Sequence, residues 1–165
     1  KSIAAILVEP VQGEGGVNIP APDYLNQIRA LCDEYDVLMM LDEIQTVIGR
    51  TGKFLASQHN GVLPDVCTLA KALGNGVPIG ACLASGKAAQ IFIAGNNGSS
   101  FGGNPLACSA ALAVLETLES SSLISDAAHK GAAICEKFKE KLQNNSHITD
   151  IRHLGLMIGI ELDKP

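Results

Sequence analysis

Apolar and polar positions follow one another along this chain in blocks whose spacing switches between that of strands and that of helices. Ile3 to Val8 is an apolar run of strand length, closed by Glu9-Pro10 and a glycine-rich loop. Pro22 and Asp23 mark a helix start, and Tyr24, Ile28, Leu31 and Tyr35 follow at helical spacing. Val37 to Leu41 predicts a second, buried strand. Residues 53–61 predict a short helix, Asp65 to Leu69 a strand, Ile79 to Ala84 another, and Lys87 to Ile93 a helical stretch. Gly95 to Gly103 is a Gly/Asn/Ser loop that leads into a helix starting at Asn104-Pro105, with Leu106, Ala110, Val114 and Leu118 on one face. A further helix over 123–143 carries Ile134, Phe138 and Leu142 four apart, and Ile148 to Leu154 and Leu156 to Leu162 predict two strands joined near Gly155.

Strands alternating with helices indicate an α/β fold with a mostly parallel sheet and flanking helices. The closing strand pair suggests a second, α+β unit, which divides the chain into 1–145 and 146–165. Sheets of this kind bind ligands beyond the C-terminal ends of their strands. Glu9, Asp42 and the loop containing Lys71 all fall just after such ends.

Composition narrows the picture in a few places. With 165 residues and 47% apolar content the chain can fill one domain core, and its uninterrupted apolar runs are far shorter than a membrane span. A net charge of −5 argues against a nucleic-acid or anionic-membrane surface. A phosphate-bearing ligand would then depend on backbone amides and helix N-termini. Cys32, Cys67, Cys82, Cys108 and Cys135 are scattered and mostly lie in apolar runs, which suggests reduced core thiols in the cytoplasm rather than a disulfide framework. Neither they nor the four histidines have metal-ligand spacing, so no metal is expected. The chain opens at Lys1-Ser2 beside a strand-like run and stops at Lys164-Pro165 just after another, as a piece of a longer protein would.

The chemistry centres on Lys71, in Leu69-Ala70-Lys71-Ala72-Leu73-Gly74-Asn75-Gly76. A lysine set among apolar residues before a glycine loop has its ammonium form disfavoured, and the free amine is a nucleophile toward carbonyls. Asp42, at the end of Val37-Leu38-Met39-Met40-Leu41, places a carboxylate at the end of an apolar strand. Such a pair has the parts needed to hold pyridoxal phosphate, the amine as a Schiff base and the carboxylate on the protonated pyridine nitrogen. Taken singly, the lysine also suits an ordinary loop and the aspartate an ordinary cap or turn. Ile44, two residues beyond Asp42 on an extended chain, would lie on the same side and could pack against a ring face.

Four longer segments carry more. Val8-Glu9-Pro10-Val11-Gln12-Gly13-Glu14-Gly15-Gly16, Leu41-Asp42-Glu43-Ile44-Gln45-Thr46 with Gly49-Arg50-Thr51-Gly52, the Lys71 segment, and Gly98-Ser99-Ser100-Phe101-Gly102-Gly103-Asn104-Pro105 occur in that order over almost the whole chain. In this they resemble the class III pyridoxal-phosphate aminotransferases, most closely the acetylornithine and ornithine types. The resemblance implies the large domain of a fold type I enzyme and transamination from an (acetyl)ornithine-like donor to 2-oxoglutarate, a step of arginine biosynthesis. Lys71 would form the internal aldimine and shuttle the proton. Asp42, Glu43, Ile44 and Gln45 would line the cofactor, with Gln45 near the ring 3-oxygen. Glu43 should point away from the ring, and a structural role suits it equally.

By the same resemblance, Ser100 stands where relatives carry Thr and reaches the cofactor phosphate of the neighbouring subunit of a homodimer. Ser99 lies near the substrate. Glu14 pairs with a substrate-binding arginine from the C-terminal domain and releases it for a carboxylate substrate, while Glu9 supports the cofactor site from behind. The family usually has His-Gly-Ser-Thr where this chain has Asn97-Gly98-Ser99-Ser100, so loop order and substrate preference are open at that point. The phosphate loop, the ring-stacking aromatic and the substrate arginine would come from outside these residues. Rival readings are a 4-aminobutyrate aminotransferase, an aminomutase or decarboxylase on the same fold, and a nucleotide-binding module. Gly13-Glu14-Gly15-Gly16 matches neither G-x-G-x-x-G nor a P-loop, which weakens the last.

Overall fold

The computed structural model describes residues 2–164. Four strands, β1 (Ala5–Val8), β2 (Leu38–Asp42), β3 (Val66–Leu69) and β4 (Ala81–Ala84), form one sheet in the order β1-β2-β3-β4. The first three are parallel, with Val8 beside Leu41 and Asp42 beside Thr68, and β4 runs antiparallel to β3. Strands β1, β3 and β4 are shorter than their predicted runs by one or two residues, and β2 has the predicted length but is displaced by one, to Leu38–Asp42.

Helix α1 (Tyr24–Glu34) connects β1 to β2. Its Leu25 and Cys32 pack with Val37, Met39, Leu41 and Val62, and Met39 and Leu41 are fully buried. Each such side chain contributes roughly 1.5–3 kcal/mol. The periodicity overstates this face, since Leu31 and Tyr35 are 47% and 60% exposed. Arg29 fastens the helix to the sheet through a 2.8 Å contact with Asp65, which also accepts from the Met39 amide at 2.8 Å. Burial alone would raise the Asp65 carboxyl; the Met39 amide and the Arg29 guanidinium outweigh it and hold it below the ordinary value.

A second cluster joins Val47, Ile48, Cys67, Leu69 and Leu73 to Ala111 of α2 (Pro105–Glu119). Asn104 caps that helix by accepting from the Ala107 amide at 3.0 Å, with Pro105 in the first turn, as the sequence predicts. The buried stripe is Ala107 and Ala111, while Leu106 is 73% exposed, which corrects the expected Leu106 face by one position. The same substitution of small for large residues occurs on α3 (Leu123–Leu142). There Ala127, Gly131 and Cys135 are buried and Ile134 faces outward. Gly131 shows why: a Cβ at that position would lie 1.8 Å from the Gly155 carbonyl oxygen. Helix and turn meet backbone to backbone, so residue size rather than hydrophobicity selects the face.

The turn belongs to a separate two-stranded antiparallel sheet, β5 (Ile148–Leu154) with β6 (Met157–Leu162). Gly155 has φ +56°, and its own Cβ would fall 2.4 Å from the Thr51 carbonyl carbon.

Two predicted helices reduce to single 3₁₀ turns, Ala56–His59 and Ala88–Gln90. Cys82 and Cys108 are exposed, contrary to the expected core placement, while Cys32, Cys67 and Cys135 are buried. Burial, with Glu43 and Asp42 close by, pushes the Cys67 thiol up to about 12.

Candidate active site

The site is built where β2 and β3 end. Pairing of Asp42 with Thr68 sets their side chains together, and the Thr68 hydroxyl lies 3.4 Å from Asp42 Oδ1. The Glu43 amide donates to the Thr68 carbonyl at 3.1 Å, which ends the ladder. The chain then turns, and the Ile44 amide donates to the same Oδ1 at 3.0 Å. One carboxylate oxygen is thus held, and among the described residues Oδ2 has no hydrogen-bond partner. The Ile44 geometry corrects the expectation of an extended chain. Asp42 and Ile44 are related by a turn, not by strand alternation.

Glu43 is committed elsewhere. It is fully buried and accepts from the Ala56 and Ser57 amides at 2.9 Å each and from the Thr46 hydroxyl. The carboxylate caps the 56–59 turn, so its inclusion among cofactor ligands is corrected to a structural role. An acidic pair that looks alike in sequence is divided by the turn into one open carboxylate and one buried one.

Lys71 begins the 3₁₀ turn Lys71–Leu73, two residues beyond β3 and three beyond Thr68. Its φ of +46° lies in the left-handed region, where a side chain other than glycine costs about 1 kcal/mol or more. The turn is closed by Leu73 N–H to Ala70 O and by Gly74 N–H to Lys71 O. Gly74 admits the following loop, since a Cβ there would sit 2.0 Å from the Val77 carbonyl oxygen. The lysine side chain is exposed, which corrects the apolar burial inferred from its neighbours in sequence: Leu69 and Leu73 are buried and Lys71 is turned out between them.

Gln45 joins the strand end to the loop after β1. Its amide donates to Glu14 Oε1 at 3.1 Å, and its side chain lies so close to Gly13 that a Cβ there would meet it at 2.3 Å. Glu9 holds the loop from below by accepting from the Gly13 amide at 2.9 Å. Gln12 and Asn18 close the loop with a pair of backbone hydrogen bonds. Glu9 and Asp42 line a cleft of about 520 Å³ beside β1, with Gln12, Asn18 and Tyr24 on its other walls; Lys71 is not among its lining residues. Glu9, Glu14, Asp42, Ile44 and Gln45 are therefore one connected group, with Lys71 at the neighbouring strand end.

Ser99 and Ser100 are not brought to this group. Residues 89–103 are exposed throughout, and Ser99 Oγ accepts from the Gly102 amide at 2.9 Å. Two residues escape the sequence reading. Thr68 is the single hydroxyl in Val66-Cys67-Thr68-Leu69, a signal that could have been read. Arg152 reaches across from β5 to the Gly16 and Val17 carbonyls, and a cation two positions from Asp150 in the same strand is its only mark. Among the described residues, no group of three or more potential ligands could hold a metal ion.

A mostly parallel sheet with its polar residues gathered after the strand ends defines an α/β enzyme of the ligand-at-strand-end type. The class-III aminotransferase model matches residues 1–165, and the chain belongs to that family, whose members depend on pyridoxal phosphate. The acetylornithine aminotransferase of Nitrosomonas europaea is 53% identical over all of this chain and 42% of its own length, and that of Corynebacterium efficiens is 52% identical over 98% of this chain and 39% of its own. The ornithine aminotransferase structure from Toxoplasma gondii superposes with a TM-score of 0.93 at 42% identity, over 96% of this chain and 38% of that one. The chain thus spans about two-fifths of the length of the relatives it matches.

The residues present fit one end of pyridoxal phosphate. Asp42 has one oxygen fixed and one open, as a pyridinium partner requires, and Lys71 presents an exposed side chain at the adjacent strand end. The phosphate end has no comparable cradle in this group.

Proposed function

We propose that the whole protein is a pyridoxal-phosphate-dependent aminotransferase that moves the amino group of an (acetyl)ornithine-like donor to 2-oxoglutarate. The supporting observation is the divided carboxylate of Asp42, oriented by Thr68 and Ile44, beside the strand end that carries Lys71. The names of the relatives favour the donor class, and 2-oxoglutarate is the acceptor implied by the sequence resemblance.

Bound at this site, the cofactor would supply an electron sink that eases removal of a proton from the carbon bearing the amino group. Asp42 would keep the ring nitrogen protonated through a charge-assisted hydrogen bond. Lys71 would hold the aldehyde end through Nζ, and the same amine would serve as base and then acid at the neighbouring carbon. Its exposure leaves that amine free to act, and its strained backbone keeps the side chain directed by the turn rather than by packing. Ile44 would pack against a ring face, Gln45 would contact the 3-oxygen, and Glu14 would answer the substrate arginine. Glu9 supports the loop behind them.

Ser99 and Ser100, on their exposed segment, serve the substrate and the phosphate of the partner's cofactor in a cytoplasmic homodimer. The β5–β6 hairpin begins a smaller C-terminal unit after residue 145.

Borohydride reduction of the cofactor-loaded whole protein, followed by peptide mapping, tests this. The label is expected on Lys71 alone. A label on Lys53 or Lys87 would sink the assignment. Turnover of acetylornithine against ornithine and 4-aminobutyrate then fixes the donor.

A further inference from the structure

We infer that Arg152 of the C-terminal hairpin is a positioning residue that clamps the Gly16 and Val17 carbonyls and thereby aims Glu14 at the substrate site. The inference rests on the transaminase reading for what Glu14 does, and on geometry alone for the clamp.

Arg152 uses its whole fork. Nε donates to the Val17 carbonyl at 3.0 Å and Nη2 to the Gly16 carbonyl at 2.7 Å. Nη1 is held by Asp150 at 2.8 Å and Glu161 at 2.5 Å, the facing pair two positions along the hairpin. The two carboxylates fix the guanidinium plane, so the carbonyl-facing edge is pre-aimed. Gly159, opposite Arg152 in the ladder, leaves room for the loop: a Cβ there would come within 3.2 Å of the Gly16 oxygen and of Val17 Cβ.

The gripped residues are the strained ones. Val17 has φ +55°, unusual for a β-branched residue, and Gly16 has φ +115°. A β-branched residue in that region costs on the order of 1–3 kcal/mol and persists only when its surroundings over-determine it. Here the surroundings are the Arg152 fork on one side and the Gln12–Asn18 pairing on the other. Glu14 sits inside the same short loop, exposed and restrained by Gln45. Among the described residues the arginine side chain donates to Gly16, Val17, Asn18, Asp150 and Glu161, and it acts through the backbone that bears Glu14.

The test uses the cofactor-loaded whole protein. In Arg152→Gln, hydrogen exchange of the amides of residues 12–18 should quicken at least tenfold, with the exchange of α3 unchanged. The KM for the amino donor should rise about tenfold, because Glu14 no longer sits where the donor half-reaction needs it. The donor kcat, the KM for 2-oxoglutarate and the cofactor absorbance should each stay within twofold. Arg152→Lys keeps the charge but loses the fork, and should fall between wild type and Arg152→Gln. Gly159→Ala presses on the loop and on the arginine together, since its Cβ would lie 3.2 Å from the Gly16 oxygen and 3.3 Å from Arg152 Nε, and should reproduce the donor effect in smaller measure. In a Glu14→Gln background, Arg152→Gln should add nothing further to the donor KM.

Unchanged exchange in Arg152→Gln would overturn the clamp. Equal losses in both half-reactions, or full additivity with Glu14→Gln, would reduce Arg152 to a structural tie. If the wild-type protein transaminates nothing, the functional reading fails, and the exchange comparison still decides the clamp.

Discussion

Lys71→Ala in the whole protein is expected to lower transamination by at least about a thousandfold, within the range general acid–base groups contribute. The variant should keep its fold. Alanine has the same backbone preference as lysine at φ +46°, so the left-handed strain is unchanged, and the exposed side chain buries nothing that is lost. The turn hydrogen bonds of residues 70–74 are all backbone to backbone and survive the substitution. Cofactor binding, read by visible absorbance, should persist in weakened form, and added amine should still perturb the spectrum. Proton exchange at the substrate carbon in deuterated water should stop. A variant that kept a tenth of wild-type turnover would show that another base moves the proton.

Asp42→Asn should be almost as severe for a different reason. Its Oδ1 can still accept from the Ile44 amide and the Thr68 hydroxyl, so the strand end is preserved and the melting temperature should shift by no more than about 2 °C. The other branch becomes an NH₂, a donor facing a ring nitrogen that itself needs to donate. Loss of one pre-aimed electrostatic contact of this kind costs about 3–4 kcal/mol, or 10²–10³ in kcat. Steady-state turnover with equal cofactor occupancy measures it. Near-normal rates would make Asp42 a turn former and no more.

The placement of these two candidates at strand ends was legible in the sequence, because an aspartate closing an apolar strand and a lysine before a glycine loop are both uncommon there. The sheet itself was legible for the same reason, since short apolar runs bounded by turns specify buried strands. The helix faces were not. Periodicity weights large side chains and so favoured Leu106 and Ile134, whereas the approach of α3 to the Gly155 turn selects Gly131 and its small neighbours. Nothing local to residues 127–135 announces that Gly131 meets the backbone of Gly155, 24 positions on. Exposure of Lys71 was hidden for a related reason: the apolar residues on either side are buried by a 3₁₀ turn that rotates the lysine outward. Arg152 was missed because its partners lie more than 130 positions earlier in the chain.

The buried cap formed by Glu43 has a consequence at the level of the cell. A carboxylate accepts from all three of its donors; the amide of Glu43→Gln has one oxygen and would turn an NH₂ toward the rest. Leaving buried donors unmet costs roughly 1–3 kcal/mol each. Losses of that size raise the unfolded fraction that proteases clear, so steady-state abundance should drop several-fold. Catalytic output per surviving molecule should be normal, whereas Asp42→Asn should be abundant and idle. Immunoblot level set against activity per molecule would separate these two neighbours, one answerable to proteolysis and the other to flux.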